Sequence, residues 1–561
     1  AALIPDLDQD TATASLMSWG FDPDQSQANP FHGARLAVLH SITRLVATGA
    51  DPAKIRLTFQ EYFERLGEDP TRWAKPFAAL LGALEAQLEL EAPAIGGKDS
   101  MSGTFNHLDV PPTLISFAVS SCPAERVVSP EIKKVGHRLT WVRPYPPSAE
   151  EWNWESQRAL LKSVAEWIAE GFVQSASAPG KGGAAGALVK MALGNRIGIQ
   201  IEDTVEIKGL FADGYGSLIL ESAQSLPSTD SFWVQELGLT QEVPHLIVAG
   251  QSLALAKLQT AWEETLEPVF PRRTPHLEGP LQSFSWEGKG PHLKTDSKVD
   301  KPEIVIPAFP GTNCEWDSAR AFRKAGARTQ VSVFRNRTPE ATRASITTLV
   351  KALKSAQILM LPGGFSAGDE PEGSGKFIAT VFRHPEVAEA TQELLQKRDG
   401  LILGICNGFQ ALVKLGLLPF GEIRDMDSTC PTLTYNALDR HVSRFVHTRV
   451  CSSLSPWLLK SRVGDIHTLP VSHGEGRFSA STELVKSLAD RGQIATQYVD
   501  TEGKLSLDTE INPNGSHFNI EGITSVEGRI FGKMGQSERC GTNVAKNIPG
   551  NKFKPIVEAR R

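Results

Sequence analysis

Cysteine is scarce in this sequence: 561 residues hold six, Cys122, Cys314, Cys406, Cys430, Cys451 and Cys540, far apart and with no Cys-x-x-Cys pair. That spacing argues against a disulfide framework or a cysteine zinc centre and suits reduced thiols. Long apolar runs are missing too, since no tract approaches the roughly 18 residues of a membrane span. Positive charge is not in excess: the formal net charge is −6, which argues against a protein built around nucleic acid. The chain opens on Ala1 rather than Met and lacks the charged-then-apolar layout of a secretory leader. The expectation is a piece of a longer cytoplasmic protein, with neither membrane nor nucleic acid among its partners. What remains is ordinary for a globular protein, 40% hydrophobic and 22% charged. The length exceeds one core and predicts three or four domains.

The stretch Leu401 to Leu418, LILGICNGFQALVKLGLL, organises the rest. Leu401 to Leu403 reads as a buried strand, Gly404 and Gly408 bracket Cys406, and Phe409 to Leu418 carries apolar residues at helical spacing. Gly-x-Cys-x-Gly at a strand-to-helix turn does for a thiol what Gly-x-Ser-x-Gly does for a hydroxyl. Most intracellular cysteines are small buried hydrophobes, but this elbow makes Cys406 a candidate nucleophile. A helix N-terminus beneath the sulfur is expected to favour thiolate, and the Asn407 N–H is placed for an oxyanion. Upstream, Ile358 to Leu361 reads as a second strand ending in Pro362-Gly363-Gly364-Phe365-Ser366, whose glycine amides offer the other half of an oxyanion hole.

In the first half, a helix is expected at 32–47, a strand at 54–59 and a helix at 75–90. A loop follows, AIGGKDSMSGT at 94–104. Gly96 and Gly97 permit close backbone approach, Lys98 adds charge and Ser100 adds a donor, the makings of a phosphate cradle. The spacing is not that of a Walker loop, and alone it reads equally as a turn with a solvated lysine. Further on come a strand at 138–142, a helix at 154–171, a glycine-rich loop through Lys181, a helix at 184–193 and a strand at 197–201. Residues 268–302 are rich in Pro, Gly, Ser and charge without periodicity, a linker pattern. Strands and helices alternate after 303, as in a mostly parallel sheet, with ligand chemistry expected at the strands' carboxyl ends.

PGGFSAGDE at 362–370, GICNGFQ at 404–410 and SHGEGRF at 472–478 resemble the class I glutamine amidotransferases. FPGTNCEWDSARAF at 309–322 narrows the likeness to the phosphoribosylformylglycinamidine synthase (formylglycinamide ribonucleotide amidotransferase) family. SLMSWGFDP at 15–23, LTFQEYFERLG at 57–67, GGKDSMSG at 96–103 and LDVPPTLISFAVS at 108–120 resemble the family's second synthetase repeat. The resemblance implies an α/β and α+β multidomain chain, the C-terminal half of such an enzyme. It divides into synthetase-repeat subdomains at 1–123 and 124–288, related to aminoimidazole ribonucleotide synthetase, a linker at 289–302 and a doubly wound glutaminase domain at 303–561.

The resemblance further implies an ATP-dependent ligase of purine biosynthesis that takes ammonia from glutamine through a channel. Glutamine, ATP and formylglycinamide ribonucleotide are its implied small-molecule partners, together with an N-terminal half in the same or another chain. ATP and Mg2+ belong to the complete enzyme. In this chain Cys406 would be the nucleophile, Gly364 and Asn407 the oxyanion hole, Gln410 and His473 glutamine contacts, and Gly96, Gly97, Lys98 and Ser100 phosphate contacts. No residue is assigned to a metal.

Two departures from the family pattern stand out. Ala178-Pro179-Gly180-Lys181 replaces an acidic HDxSDGG-like stretch, and His40 and Arg44 stand where family members place Glu and Asn as magnesium ligands. A cation there repels magnesium, so the second repeat is expected to be structural. The family's late His-x-Glu, which readies the thiol, is here Gln536-Ser537-Glu538. An amide cannot accept and return a proton near neutral pH. The alternatives are use of free ammonia, a substitute histidine at His473 or His517, or an inactivating change. A catalytically decayed relative serving as an interaction protein is the rival reading.

Overall fold

The computed structural model describes residues 1–6, 11–146, 152–272, 274, 277–288, 299–368 and 374–552. These form two units, one essentially residues 11–266 and the other residues 267 onward.

Two large sheets and a two-stranded ribbon, Thr104–Phe105 with Leu108–Asp109, are described in the first unit. The five-stranded sheet runs Ala2–Leu3, Thr13–Gly20, Thr113–Pro123, Arg56–Tyr62 and Ala94–Lys98, antiparallel except for the last, parallel pair. Against it lies Pro30–Ala47, a helix begun by the Asn29 side chain accepting from the His32 N–H, with Pro at the first position. Asp69 and Pro70 start the next helix in the same way, so Pro70–Glu89 begins five residues before the expected 75. The strand expected at 54–59 is Arg56–Tyr62, because Pro52–Lys54 is a short turn capped by Asp51. The seven-stranded sheet is ordered Gln251–Ala254, His245–Val248, Gly198–Ile201, Trp233–Gln241, Arg138–Arg143, Leu218–Ser222, Val173–Ser177. The helices expected at 154–171 and 184–193 are Trp154–Ala169 and Gly183–Asn195. One core joins Leu16, Leu39 and Leu57 to Leu160, Leu218 and Phe232, so the apolar packing runs across residue 123.

The second unit is built on nine strands in the order Arg328–Val333, Glu303–Ala308, Ile358–Leu361, Leu401–Ile405, Ile530–Lys533, Ile520–Thr524, Ile494–Val499, Val442–Val450, Ile466–His473. The first five are parallel, and Ile358–Leu361 and Leu401–Ile405 in their middle read as near-continuous apolar runs because they are buried along their length, whereas the edge strand Arg328–Val333 is mostly polar and partly exposed. The last four extend the sheet antiparallel, a half that the expectation of a mostly parallel sheet did not contain. Residues 267–288, read as the tail of the second subdomain, group with this unit: Phe284 joins its core and donates its N–H to Gln497 Oε1 at 3.0 Å. Most of the linker, 289–298, lies outside the described residues. No described helix is long and apolar enough to cross a membrane.

Candidate active site

Leu401–Ile405 lies in the middle of the nine-stranded sheet and Asn407–Leu415 leaves it as a helix, with Cys406 between them at φ 51°, ψ −107°. The flanking glycines are sterically obligatory. A Cβ on Gly408 would stand 2.0 Å from the Leu361 carbonyl oxygen, and one on Gly404 2.4 Å from Leu412 Cδ1. The S–H donates to the Ser472 carbonyl at 3.6 Å. The backbone N–H groups of Asn407 and Gly364 and the side chain of Gln536 hydrogen-bond the sulfur and favour its charged form. Both expected oxyanion donors therefore converge on one atom.

The expected thiolate does not follow. Burial pushes the Cys406 thiol up to about 12, and the nearby Glu538 charge adds to the effect, outweighing all three hydrogen bonds. Cys406 is only 3% exposed.

The Gly363–Gly364 loop is held in place by its neighbour. Asn313 and Cys314 both donate N–H groups to the Gly363 carbonyl, at 3.1 and 3.2 Å, and Phe365 N–H donates to Gly311 O at 2.8 Å. Gly364 sits at φ 146°, where a Cβ would lie 2.7 Å from the Asn313 nitrogen. The FPGTNC stretch is thus the brace of the Gly363–Gly364 loop. It also brings in a second thiol, since a Cβ on Gly363 would be 3.4 Å from both Cys314 Sγ and Cys406 Cβ. Burial and the Glu538 charge push the Cys314 thiol far up. Asp369 and Glu370 of the PGGFSAGDE stretch lie outside the described residues.

Gln536 and Glu538 approach from the last strand, Ile530–Lys533, through the short turn Ser537–Arg539. Gln536 Oε1 accepts from Arg539 Nη1 at 3.3 Å. Glu538 is 3% exposed and neither of its oxygens has a hydrogen-bond partner. Burial raises its carboxyl to about 7, although the charge of Lys533 pulls the other way. Lys533 and Glu521 are both fully buried, 3.9 Å apart, and Glu521 also accepts from the Gly535 N–H at 2.7 Å. Neither Lys533 nor Glu521 figured among the residues expected at the site. The available signal was a charge of opposite sign in each of two apolar strands, FNIEGIT and IFGKMG.

Gln410 is a strut rather than an open contact: its amide donates to the Glu475 carbonyl, and its Oε1 accepts from Asn407 Nδ2 at 3.1 Å. His473 is buried, and its Nδ1 shares a hydrogen bond with Asn436 Oδ1 at 3.0 Å. Burial holds it neutral, down to about 4, with Nε2 unpartnered. His517 hydrogen-bonds the Ala480 backbone and lines a separate cavity of about 290 Å3 with Arg477 and Phe518, which Cys406 does not reach.

The first unit's candidates are arranged differently from the loop read in the sequence. Gly96, Gly97 and Lys98 belong to the exposed edge strand Ala94–Lys98, because Thr58 and Phe59 on the neighbouring strand have free parallel partners to offer. Ser100 hydrogen-bonds Ser102 at 2.9 Å, and burial together with Asp99 raises the adjacent Glu61 to about 7. His40 is held neutral by burial, down to about 4; Arg44 donates to the Trp19 carbonyl at 2.9 Å, and Lys181 pairs with Asp24. That corner does not fit magnesium, and no group of three or more His, Cys, Asp or Glu among the described residues is disposed to hold a metal ion.

A profile of the CobB/CobQ-like glutamine amidotransferase domain matches residues 301–559. The chain is 33% identical over 242 residues to the phosphoribosylformylglycinamidine synthase subunit PurQ of Methanococcus maripaludis, covering 42% of this chain and 82% of that protein. The same subunit from Aquifex aeolicus is 31% identical over 248 residues, 44% of this chain and 95% of that one. Of solved structures, PurLQS from Thermotoga maritima is 24% identical, covers 46% of this chain and 97% of its own, and has a TM-score of 0.34. T. maritima PurL complexed with ATP is 15% identical over 52% of this chain and 49% of its own, at a TM-score of 0.35. Those two structural likenesses are too distant to carry weight.

Proposed function

The chain belongs to the phosphoribosylformylglycinamidine synthase family, and on that premise we propose that its second unit is the glutaminase that supplies ammonia to the synthetase reaction. The observation that carries this reading is the elbow, a thiol at positive φ with the Asn407 and Gly364 N–H groups aimed at one atom. Cys406 attacks the side-chain carboxamide of glutamine, and those two N–H groups hold the oxygen as it gains charge. Ammonia leaves, and the thioester is hydrolysed to glutamate.

The complete enzyme uses ATP to activate the amide oxygen of formylglycinamide ribonucleotide, and the ammonia, kept from solvent by protein, displaces it to give the amidine. ATP and Mg2+ act there; the residues around His40 and Lys181 do not fit a second magnesium site, and no step is routed through one. Gly96, Gly97, Lys98 and Ser100 remain the phosphate contacts to test. The first synthetase repeat is supplied by an N-terminal partner segment, and the setting is cytoplasmic.

Gln536 sets the rate. It donates to the sulfur but takes no proton, so glutamine hydrolysis by this chain is weak, down by several powers of ten from a working triad. Gln536→His is expected to raise glutamate release by about 10³-fold or more. The reading fails if hydrolysis in the unaltered chain is already fast and Gln536→His leaves it unchanged.

A further inference from the structure

We propose that Lys533 is a positioning residue of the glutaminase site, tying the Cys406 elbow to the segment that carries residue 536 through the buried Lys533–Glu521 pair. The inference rests on the glutaminase reading above and deepens it by naming what holds the 536 side chain at the sulfur.

Lys533 closes the strand Ile530–Lys533, opposite Ile405 on the neighbouring strand, and it reaches both halves of the site. Its backbone carbonyl accepts the Cys406 N–H at 2.9 Å, so this strand end fixes the peptide of the nucleophile itself. Its ammonium turns forward and donates to the Gly535 carbonyl. Glu521, on the adjacent strand Ile520–Thr524, accepts the Gly535 N–H at 2.7 Å, and its other oxygen accepts from the Thr496 hydroxyl. The N–H and the carbonyl of Gly535 are thus taken by the two members of one ion pair, fully buried and 3.9 Å apart. Gly535 fits this seat because it has no side chain: a Cβ there would stand 2.8 Å from Glu521 Oε1 and 3.4 Å from Lys533 Nζ.

The Gly535 carbonyl belongs to the peptide bond that leads into Gln536, whose N–H donates to the Pro470 carbonyl at 2.9 Å. With its oxygen and its N–H both held, that peptide plane aims the Gln536 side chain at the elbow. A Cβ on Gly363 would be 3.6 Å from Gln536 Nε2 and 3.4 Å from Cys406 Cβ, and the Gln536 amide hydrogen-bonds the sulfur. A buried ion pair adds little stability over apolar side chains of the same volume. What this one adds is direction, through charge-assisted hydrogen bonds to a single backbone residue.

The test uses Gln536→His in the full chain as a reporter, because an imidazole at 536 speeds glutamate release only where it meets the sulfur. Lys533→Met/Glu521→Gln removes the ammonium, leaves no orphan charge and keeps an acceptor for the Gly535 N–H. In the parent, Gln536→His is expected to raise release by about 10³-fold. In the double background that gain should fall about 100-fold, the scale of a misplaced catalytic group, with the loss in kcat and KM within about twofold. Cys406 should still be alkylated there by an α-chloroketone analogue of glutamine. Gly535→Ala, which keeps both charges and wedges a methyl group into the seat, should cut the gain likewise, and it decides the question if the double variant fails to fold. A gain within roughly threefold of the parent's in a folded variant overturns the proposal. So does a loss carried by KM, or one accompanied by loss of Cys406 alkylation, since general disruption of the site produces either. No gain from Gln536→His in any background overturns the proposal together with the role given to Gln536; a parent whose Cys406 resists the chloroketone removes the glutaminase reading as well.

Discussion

At the scale of single residues, the site is governed by desolvation more than by the hydrogen bonds that surround it. Cys406, Glu538 and His473 are each pushed toward their neutral form. For stability the signs differ. Glu538 binds its proton up to about pH 7 when folded but only to about 4.5 when unfolded, so its contribution is lost as pH rises across that window. Glu538→Gln is therefore expected to stabilise the chain above pH 7, by about 2–3 kcal/mol, and to do nothing below about 4.5, as urea unfolding at several pH values would show. His473, lowered to about 4, acts oppositely and costs stability as pH falls from 6.5. Lys533 and Glu521 are a buried pair, and Lys533→Met leaves Glu521 without its cation. That substitution should cost about 3–5 kcal/mol, read as a fall in the denaturant midpoint.

At the scale of elements, the elbow shows how the sequence specifies a reactive turn. Gly404 and Gly408 were legible as the brackets of Cys406 because tight turns tolerate little else. What the letters did not reveal is why each is needed: a Cβ on Gly404 meets the Leu412 side-chain tip at 2.4 Å and the Gly408 carbonyl at 2.8 Å, whereas one on Gly408 drives into the Leu361 carbonyl of the adjacent strand at 2.0 Å. Leu412 can shift, and the Gly408 overlap is smaller than the Leu361 one. Gly408→Ala is accordingly expected to destabilise more than Gly404→Ala, by roughly 1–3 kcal/mol in the first case, a difference that paired melting curves would resolve. Equal losses would contradict the steric account. The inner parallel strands at 303–307, 358–361 and 401–403 were legible as apolar runs, but Arg328–Val333 and the antiparallel extension were not, since strands such as RTQVSV, VSRFVHTRV and IHTLPVSH carry polar residues that blur the pattern. The GGKDSMSG stretch read as a loop, yet Gly96 and Gly97 pair as a strand because a neighbouring edge was free. No local signal carries that information.

At the scale of the whole molecule, the apolar cores sort by unit. One runs from Phe284 to Met534, and those of the first unit draw only on residues before 267. The segment 267–561 expressed alone is expected to melt cooperatively and to keep Cys406 reactive; an unfolded fragment would contradict that division. Composition showed that one core was too few, but the division at 266 depended on Phe284 and Trp286 packing forward, which a Pro- and Gly-rich stretch does not advertise. The family and the cysteine elbow were legible because they reside in short, spaced motifs; the burial that pushes the thiol toward its protonated form was not, because it is assembled from strands more than a hundred residues apart. The most direct test of the account is alkylation of the intact chain by the α-chloroketone analogue of glutamine, followed by peptide mapping. The expected result is one adduct, on Cys406 among the six cysteines, suppressed by excess glutamine; an unmodified Cys406, or labelling that glutamine does not slow, would contradict it.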